Sequence, residues 1–531
     1  MEGIANLVAK SLVTLDGAVS IGRWRLLETI RAYALEKLAE SGEAEEAARR
    51  HAEFFRDFLV PTAPTSRLRP SIENMDRCVQ ELDNVRAALD WAFSPAGDPA
   101  IGVVLTAAYT PVWIHFELMI ECSERAERAL DCLGPDLNLA APLRMQLYIG
   151  LGLSLIFTMG PVERAKMILA KALEVAESLD DLDAQLWNLW ALWGLSLNIS
   201  ECRAAQSTAE RFSRVAVRTG YPADVLVADR LIGTTLQYGG KLRETRHRFE
   251  RVLELYISPE NKRHRILFHS DQRVLTRAML ARVLWLQGFV NQAKDNARAC
   301  VEEAQATGYE LSLCWVIYYA VYPIALMTND LVAAERAMAT LIRLATGHNV
   351  AFWKIVARCL EAKLLIKRGE FGNGSALMRT ALETCDKSGW TICYPEFLGV
   401  LAEGLAGLGE LTEALATVDQ ALAKADRGGE RWYVAEILRV KGELLLQQAG
   451  NRSISAAEVC FLDAREIARQ QGALFWELRV ALSLARLRVR QNRQDDARQL
   501  LKPAYDRFVE GFETADLHSA KAMLESLSSD R

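Results

Sequence analysis

"NDLVAAERAMATLIRLA" (Asn329–Ala345), "GEFGNGSALMRTALETC" (Gly369–Cys385) and "GELTEALATVDQALAKA" (Gly409–Ala425) begin 40 residues apart. Each opens on a turn and continues as an Ala-rich amphipathic helix, and a helix of large apolar residues precedes each. Carried outward, the frame places turns at Gly160, Ser200, Gly240, Gly288, Asn329, Gly369, Gly409, Arg452 and Asn492. The step is 40 to 43 residues everywhere except the 48 between Gly240 and Gly288. Two helical segments and two breaks per step predict an all-α fold, a right-handed α-solenoid of tetratricopeptide-like helical hairpins. About nine repeats fit between residues 136 and 531. The period exceeds the ~34 residues of a standard tetratricopeptide unit, so the helices must be longer. Ala334, Gly374 and Ala414 fall at equivalent places, where paired helices must approach closely.

A repeat array removes the usual link between length and domain count, so 531 residues need not mean several cores. Half the residues are apolar and a quarter are charged, as in ordinary folded proteins. A net charge of −5 does not suit a chain built as a whole to bind nucleic acid or anionic membrane. Ten cysteines are scattered without a Cys-x-x-Cys pair, which fits buried thiols in a reducing, cytoplasmic setting. The N-terminus has no apolar run behind a basic start, as a secretion signal would need. "LSLCWVIYYAVYPIALMTN" (Leu311–Asn329) has the length and polarity of a membrane span. "AQLWNLWALWGLSLNIS" (Ala184–Ser200) is similar. Both fall in the first-helix slot of a hairpin, where a helix packed on all sides can be apolar all round. Buried solenoid helices are therefore expected, and no membrane partner.

The array is preceded by less regular sequence. Residues 41–135 read as irregular helical hairpins leading into it. Gly42 is placed to end a helix, and Asp98 with Pro99 to start one. Residues 1–40 hold a short apolar hairpin, "SLVTLDGAVSIGRW", running into "WRLLETIRAYALEKL" (Trp24–Leu38), read as a strongly amphipathic helix.

Catalytic signatures are missing from the sequence. It has no G-x-x-x-x-G-K-[ST], no H-E-x-x-H, no dinucleotide fingerprint and no G-x-S-x-G. The expectation is a chain without catalytic residues, metal or cofactor. Two features could bind a partner. Trp187, Trp190 and Trp193, with Trp315, Tyr319 and Tyr322, form aromatic stripes on first helices; such stripes are either hairpin core or a ligand surface. A basic run from Lys241 to Arg273 includes Lys241, Arg243, Arg246, Arg248, Lys262, Arg263 and Arg265. It coincides with the long step and is either a solvated face or a docking patch.

"LVAKSLVTLDGAVSIGRWRLLETIRAYALEKLAESGEAEEAARRHAEFF" (Leu7–Phe55) resembles the bacterial STAND-type signal-transduction ATPases with an NB-ARC-like module. "ELDNVRAALDWAF" (Glu81–Phe93) and the C-terminal run 456–525 are similar to the same regulators. The resemblance implies that residues 1–40 end a winged-helix module. It also implies that the repeat array is the sensor and scaffold region of a transcriptional regulator, receiving a protein partner or a small inducer. The family's ATPase and DNA-binding modules would then lie upstream of Met1, leaving this chain without direct nucleic-acid binding. A free-standing interaction scaffold, or a fragment of an ATP-hydrolysing or cyclase-linked protein, are the alternatives.

Overall fold

The computed structural model describes the chain except residues 1, 17–22, 60–76, 117, 134–139, 159–161, 258–267, 269–270, 308–309, 348–350, 449–450 and 530–531. The chain divides into two compact units. One is Met1–Phe116 with Glu124–Leu147; the other is Glu117–Ser123 with Tyr148–Arg531.

The first unit opens with helix Glu2–Ala9 and two antiparallel strands, Val13–Asp16 and Arg23–Leu26, with Val13 opposite Leu26 and Leu15 opposite Trp24. Helix Glu28–Glu40 follows and ends before Gly42, whose φ of 75° suits glycine. This helix departs from the amphipathic expectation. Its apolar residues do not gather on one side, and none of its residues is buried. A small core forms only later. Helices Ala44–Leu59, Leu82–Ala92 and Pro99–His115 bury Ala52, Phe55, Val85, Ala88 and Leu89. Asp98 accepts the Ala100 N–H at 2.9 Å as the N-cap, with Pro99 in the first turn.

The second unit is the α-solenoid. Among the described residues, nine hairpins run from Ala141–Phe157 paired with Val162–Ser178 to Leu474–Arg490 paired with Gln494–Tyr505, and helix Ala515–Ser529 closes the series. The first of these helices begins in the other unit. The predicted turn frame is realised in backbone geometry. Ser200, Gly240, Gly288, Asn329, Gly369, Gly409 and Asn492 all adopt left-handed φ between 58° and 93°. That conformation ends one helix so that the next can reverse, and it selects Gly or Asn. Gly160 lies outside the described residues. Arg452 departs from the frame, because it sits inside helix Asn451–Gln471.

First and second helices differ as stacking requires. Pro222–Tyr238 and Gln272–Leu286 are buried along nearly their whole length, whereas Cys202–Arg218 buries one stripe of Ala, Phe and Val. Among the described residues, no helix is long and apolar enough to cross a membrane. The run beginning at Leu311 is interrupted by a π-helical turn, Ile317–Val321, just before Pro323. Proline lacks the N–H that a regular α-helix would use there, and the π turn absorbs the mismatch.

The array does not leave an open groove. Winding brings its early turns onto its later loops. Asn198 O accepts the Thr391 and Ile392 N–H groups at 2.9 and 3.0 Å. One repeat on, Tyr238 O accepts those of Arg431 and Trp432 at 2.8 and 3.1 Å. Farther along, Glu510 accepts Asn291 N–H at 2.9 Å, and Lys294 pairs with Glu513 at 2.5 Å. The Asn198 and Tyr238 carbonyls and the Asn291 amide are groups that helix ends leave without internal partners, here satisfied across a seam. At that seam Gly240 is constrained twice. It has a φ of 80°, and an added Cβ would lie 2.7 Å from Gln471 Nε2.

Candidate functional site

The seam encloses the inner face, and this decides where the aromatic stripes lie. Trp187, Trp193, Tyr319 and Tyr322 are buried, and Trp190 and Trp315 are half-buried. Trp193 Nε1 donates to Thr235 Oγ1 at 3.0 Å, and the Tyr319 and Tyr238 hydroxyls meet at 3.4 Å. Tyr322 donates to Leu360 O. Trp315 stacks on Tyr319 with centroids 5.7 Å apart. These contacts are those of core packing, with the polar tips of Trp193, Tyr319 and Tyr322 given partners.

The basic segment is mostly neutralised where it is described. Arg248 and Arg251 both bind Asp229, at 2.5 and 2.8 Å, and Arg246 binds Glu250 at 2.7 Å. Arg246 also lies over the Phe289 ring, 4.4 Å from its centroid. Lys241 and Arg243 are exposed. A surface hollow of about 330 Å³ lies beside Arg243, Arg246 and Arg507. Lys262, Arg263 and Arg265 fall outside the described residues.

The site that the geometry singles out was not among the sequence candidates. It is a partly open cavity of about 330 Å³ on the inner side of the second unit, with Asn329, Lys367 and Ala515 exposed at its rim. Its apolar wall includes Trp285, Phe371, Trp432, Tyr433, Phe475 and Trp476. Its charged wall carries Arg282, Lys363, Lys367 and Arg479 against Glu396, Glu403, Glu436 and Asp516. The carboxylates are engaged. Lys363 binds Glu396 at 2.5 Å. Glu436 is held by Arg439 at 2.8 Å and Arg479 at 2.7 Å, and Arg439 reaches Glu403 at 3.4 Å. Arg479 approaches Asp516 at 3.9 Å. Burial alone would push the Glu436 carboxyl up, but Arg439 and Arg479 outweigh it and hold the carboxyl below its usual range.

The cations are not all engaged. Arg282 is 4% exposed. It donates through Nη2 to Tyr318 O at 2.8 Å and stands 5.2 to 5.6 Å from the ring centroids of Tyr318, Tyr319 and Trp432. Its Nε has no hydrogen-bond partner among the described residues. Beyond the cavity lining, Arg230 is also buried. It donates to Gln272 Oε1 at 2.6 Å and lies over Trp193, and burial lowers its pKa to about 10.

Glu430 sits at the seam, 2% exposed. It accepts Trp432 Nε1 at 3.1 Å and Cys393 N–H at 3.3 Å, and lies 3.2 Å from Ser200 Oγ. Burial raises its pKa to about 7. Ser200 Oγ is closer to Thr391 O, at 2.5 Å. With its proton given to that carbonyl, Ser200 is free to accept one from a protonated Glu430.

A signal for this site was present in the sequence. Arg282, Lys363, Glu396, Glu436 and Arg479 fall in first helices, among residues that are largely buried and apolar. A charge in such a helix must be paired or used.

No model of a known protein family matches the chain. It is 36% identical over 118 residues to proteins of Mycobacterium tuberculosis and Mycobacterium bovis whose names describe them as HTH-type transcriptional regulators, a match covering 21% of this chain. It is 25% identical over 366 residues, 67% of its length, to an uncharacterized protein of Rhizobium meliloti. The chain spans 12% of the length of the mycobacterial relatives and 34% of the rhizobial one. Among solved structures, a Rap protein complexed with competence and sporulation factor superposes with a TM-score of 0.51 at 11% identity, covering 73% of this chain and 99% of that one. At that identity the likeness is one of fold, a tetratricopeptide-like helical solenoid.

Proposed function

We propose that this chain is the non-catalytic receiving region of a STAND-type transcriptional regulator, with the solenoid taking up a protein partner or a small inducer. The observation that carries the reading is this cavity, a mixed aromatic and charged hollow lined by several of the wound repeats. Two comparisons support it. Part of the chain is similar to HTH-type transcriptional regulators, and a solenoid of the same fold is known in complex with a factor. On this reading, strands Val13–Asp16 and Arg23–Leu26 and helix Glu28–Glu40 end a winged-helix module. Nucleotide and DNA are handled by upstream modules, and the protein works in the cytoplasm. A ligand that prefers one winding of the solenoid would shift the regulator between states by that preference alone.

The test has two parts. Translation of the DNA upstream of Met1 is expected to give a continuous frame encoding a phosphate loop. The purified chain is expected to hydrolyse no ATP and to retain no duplex DNA at physiological salt. A stop codon directly before Met1, with no such module, would turn the reading to a free-standing interaction scaffold. ATP turnover that tracks with the purified chain would sink the non-catalytic assignment.

A further inference from the structure

We infer that this cavity is a carboxylate site, and that Arg282 is the residue that reads the charge. The proposal rests on the receiving role given above and narrows it to a chemical class. Its starting point is an imbalance. A guanidinium removed from water needs a counter-charge or a full set of acceptors. Arg282 is 4% exposed, yet among the described residues no carboxylate lies within salt-bridge distance of it. It has one hydrogen bond, to Tyr318 O, and its Nε is unpartnered. Glu396 is the acidic group whose field reaches it, but Glu396 is bound by Lys363. The aromatic rings around Arg282 offer quadrupoles and no acceptor for Nε.

The acidic residues of the cavity are already engaged and leave none for Arg282. Every acidic residue on its wall has a basic neighbour, at distances from 2.5 Å for Glu396 to 3.9 Å for Asp516. Lys367, on the same wall, has no ion pair among the described residues, although its field reaches Glu436. The lining is balanced, with four basic and four acidic residues, and of the two bases without an ion pair among the described residues only Arg282 is buried, Lys367 being exposed. A ligand's negative charge would therefore be met at Arg282 and not by the wall as a whole. The aromatic wall of Trp285, Trp432 and Phe475 calls for an apolar body attached to it. A planar carboxylate matches the fork of donors that a guanidinium presents. Arg230 does not compete for this role, because Gln272 takes its Nε and it does not line the cavity.

The test compares matched probes on the purified chain. 3-Phenylpropanoate and its primary amide have nearly the same shape and differ in charge. N-acetyl-Leu-Leu-Phe with a free C-terminus and its C-terminal amide form the peptide pair. Calorimetric titration, with Trp fluorescence as a second readout, is expected to show the acid of at least one pair binding about tenfold or more tighter than its amide. Arg282→Gln should abolish that preference, and Lys367→Met should weaken it to a smaller degree. Preference for phenylpropanoate alone identifies a small organic acid as the source, and preference for the peptide acid alone identifies a chain terminus. Equal binding of acid and amide overturns the carboxylate assignment while leaving the receiving role standing. Failure of both acids to bind the wild-type chain overturns it as well, with Arg282 then serving packing and water only. The wild-type comparison needs no variant, so a poorly folding Arg282→Gln would not obscure the result. Failure of the receiving role itself is read separately, from the upstream frame.

Discussion

Helix Glu28–Glu40 and helix Leu474–Arg490 are both built from Leu, Ala, Arg and Glu, yet the first buries no residue and the second buries thirteen. Composition and helix propensity do not separate them. Neighbours do, because most helical stability comes from packing of an apolar face. Leu474–Arg490 is flanked by helices Asn451–Gln471 and Gln494–Tyr505 and meets the seam beside Gly288. The opening helix has no such surroundings within its own unit, and Tyr33 and Leu35 stay 59% and 55% exposed.

The contrast is sharpest in the core. Phe461 is fully buried among Ala457, Ala464, Val480, Leu484 and Leu487. Phe461→Ala should cost about 3–5 kcal/mol, from the transfer energy of the missing ring and the cavity it leaves behind. Urea denaturation followed by circular dichroism would measure it, and a change under 1 kcal/mol would mean that this part of the array repacks freely. The same ring sets the tolerance of its neighbour. A Cβ at Gly442 would press into Phe461 Cε1, well inside van der Waals distance, so Gly442→Ala should destabilise by about 1–3 kcal/mol. That sign is opposite to the gain expected for Gly→Ala in an exposed helix.

The seam adds a pH term through Glu430. Glu430 titrates near its ordinary 4.5 when unfolded and at about 7 when folded. Between those values the folded state binds more protons than the unfolded one, so stability falls as pH rises. Below pH 4.5 both states are protonated and the penalty is absent; above pH 7 it is fully present. Raising the pH from 5 to 8 should therefore remove on the order of 1–3 kcal/mol through this group. Glu430→Gln should flatten that part of the profile. An unchanged slope in the variant would show that other groups cause it.

The repeat was legible because stacking forces the same turn geometry every 40 residues or so, and left-handed residues leave a visible trace of Gly and Asn at that spacing. The step of 48 marked the longer interval between helices Leu242–Leu255 and Gln272–Leu286, again readable from spacing. The site was not legible as a site. Arg282, Lys363 and Glu436 sit on separate first helices, and only the winding brings them to one cavity. A linear pattern carries no record of that closure. The aromatic stripes could be read from the sequence either as core or as a ligand surface for the same reason. In an open array Tyr319 and Trp193 would face a groove, but hydrogen bonds such as Trp432 N–H to Tyr238 O close the inner face over them.

The smallest predicted effect completes the comparison. Leu35 is more than half exposed on a helix with no buried residue, so Leu35→Ala removes little apolar area from a packed interface in this chain. The destabilisation should stay within about 0.5 kcal/mol, the range of surface substitutions that touch no cap, core or network. Alanine also has a slightly better helix propensity, which offsets part of the small decrease in packing. Measured in this chain, a destabilisation above 1 kcal/mol would mean that the opening helix is packed after all. Measured in a longer gene product, if the upstream frame exists, the same substitution becomes more informative. A value rising toward the about 2–5 kcal/mol of a buried leucine would show that further chain covers this face, as a winged-helix module would. A neutral result in both settings would leave the opening helix a surface element whose apolar residues need no partner.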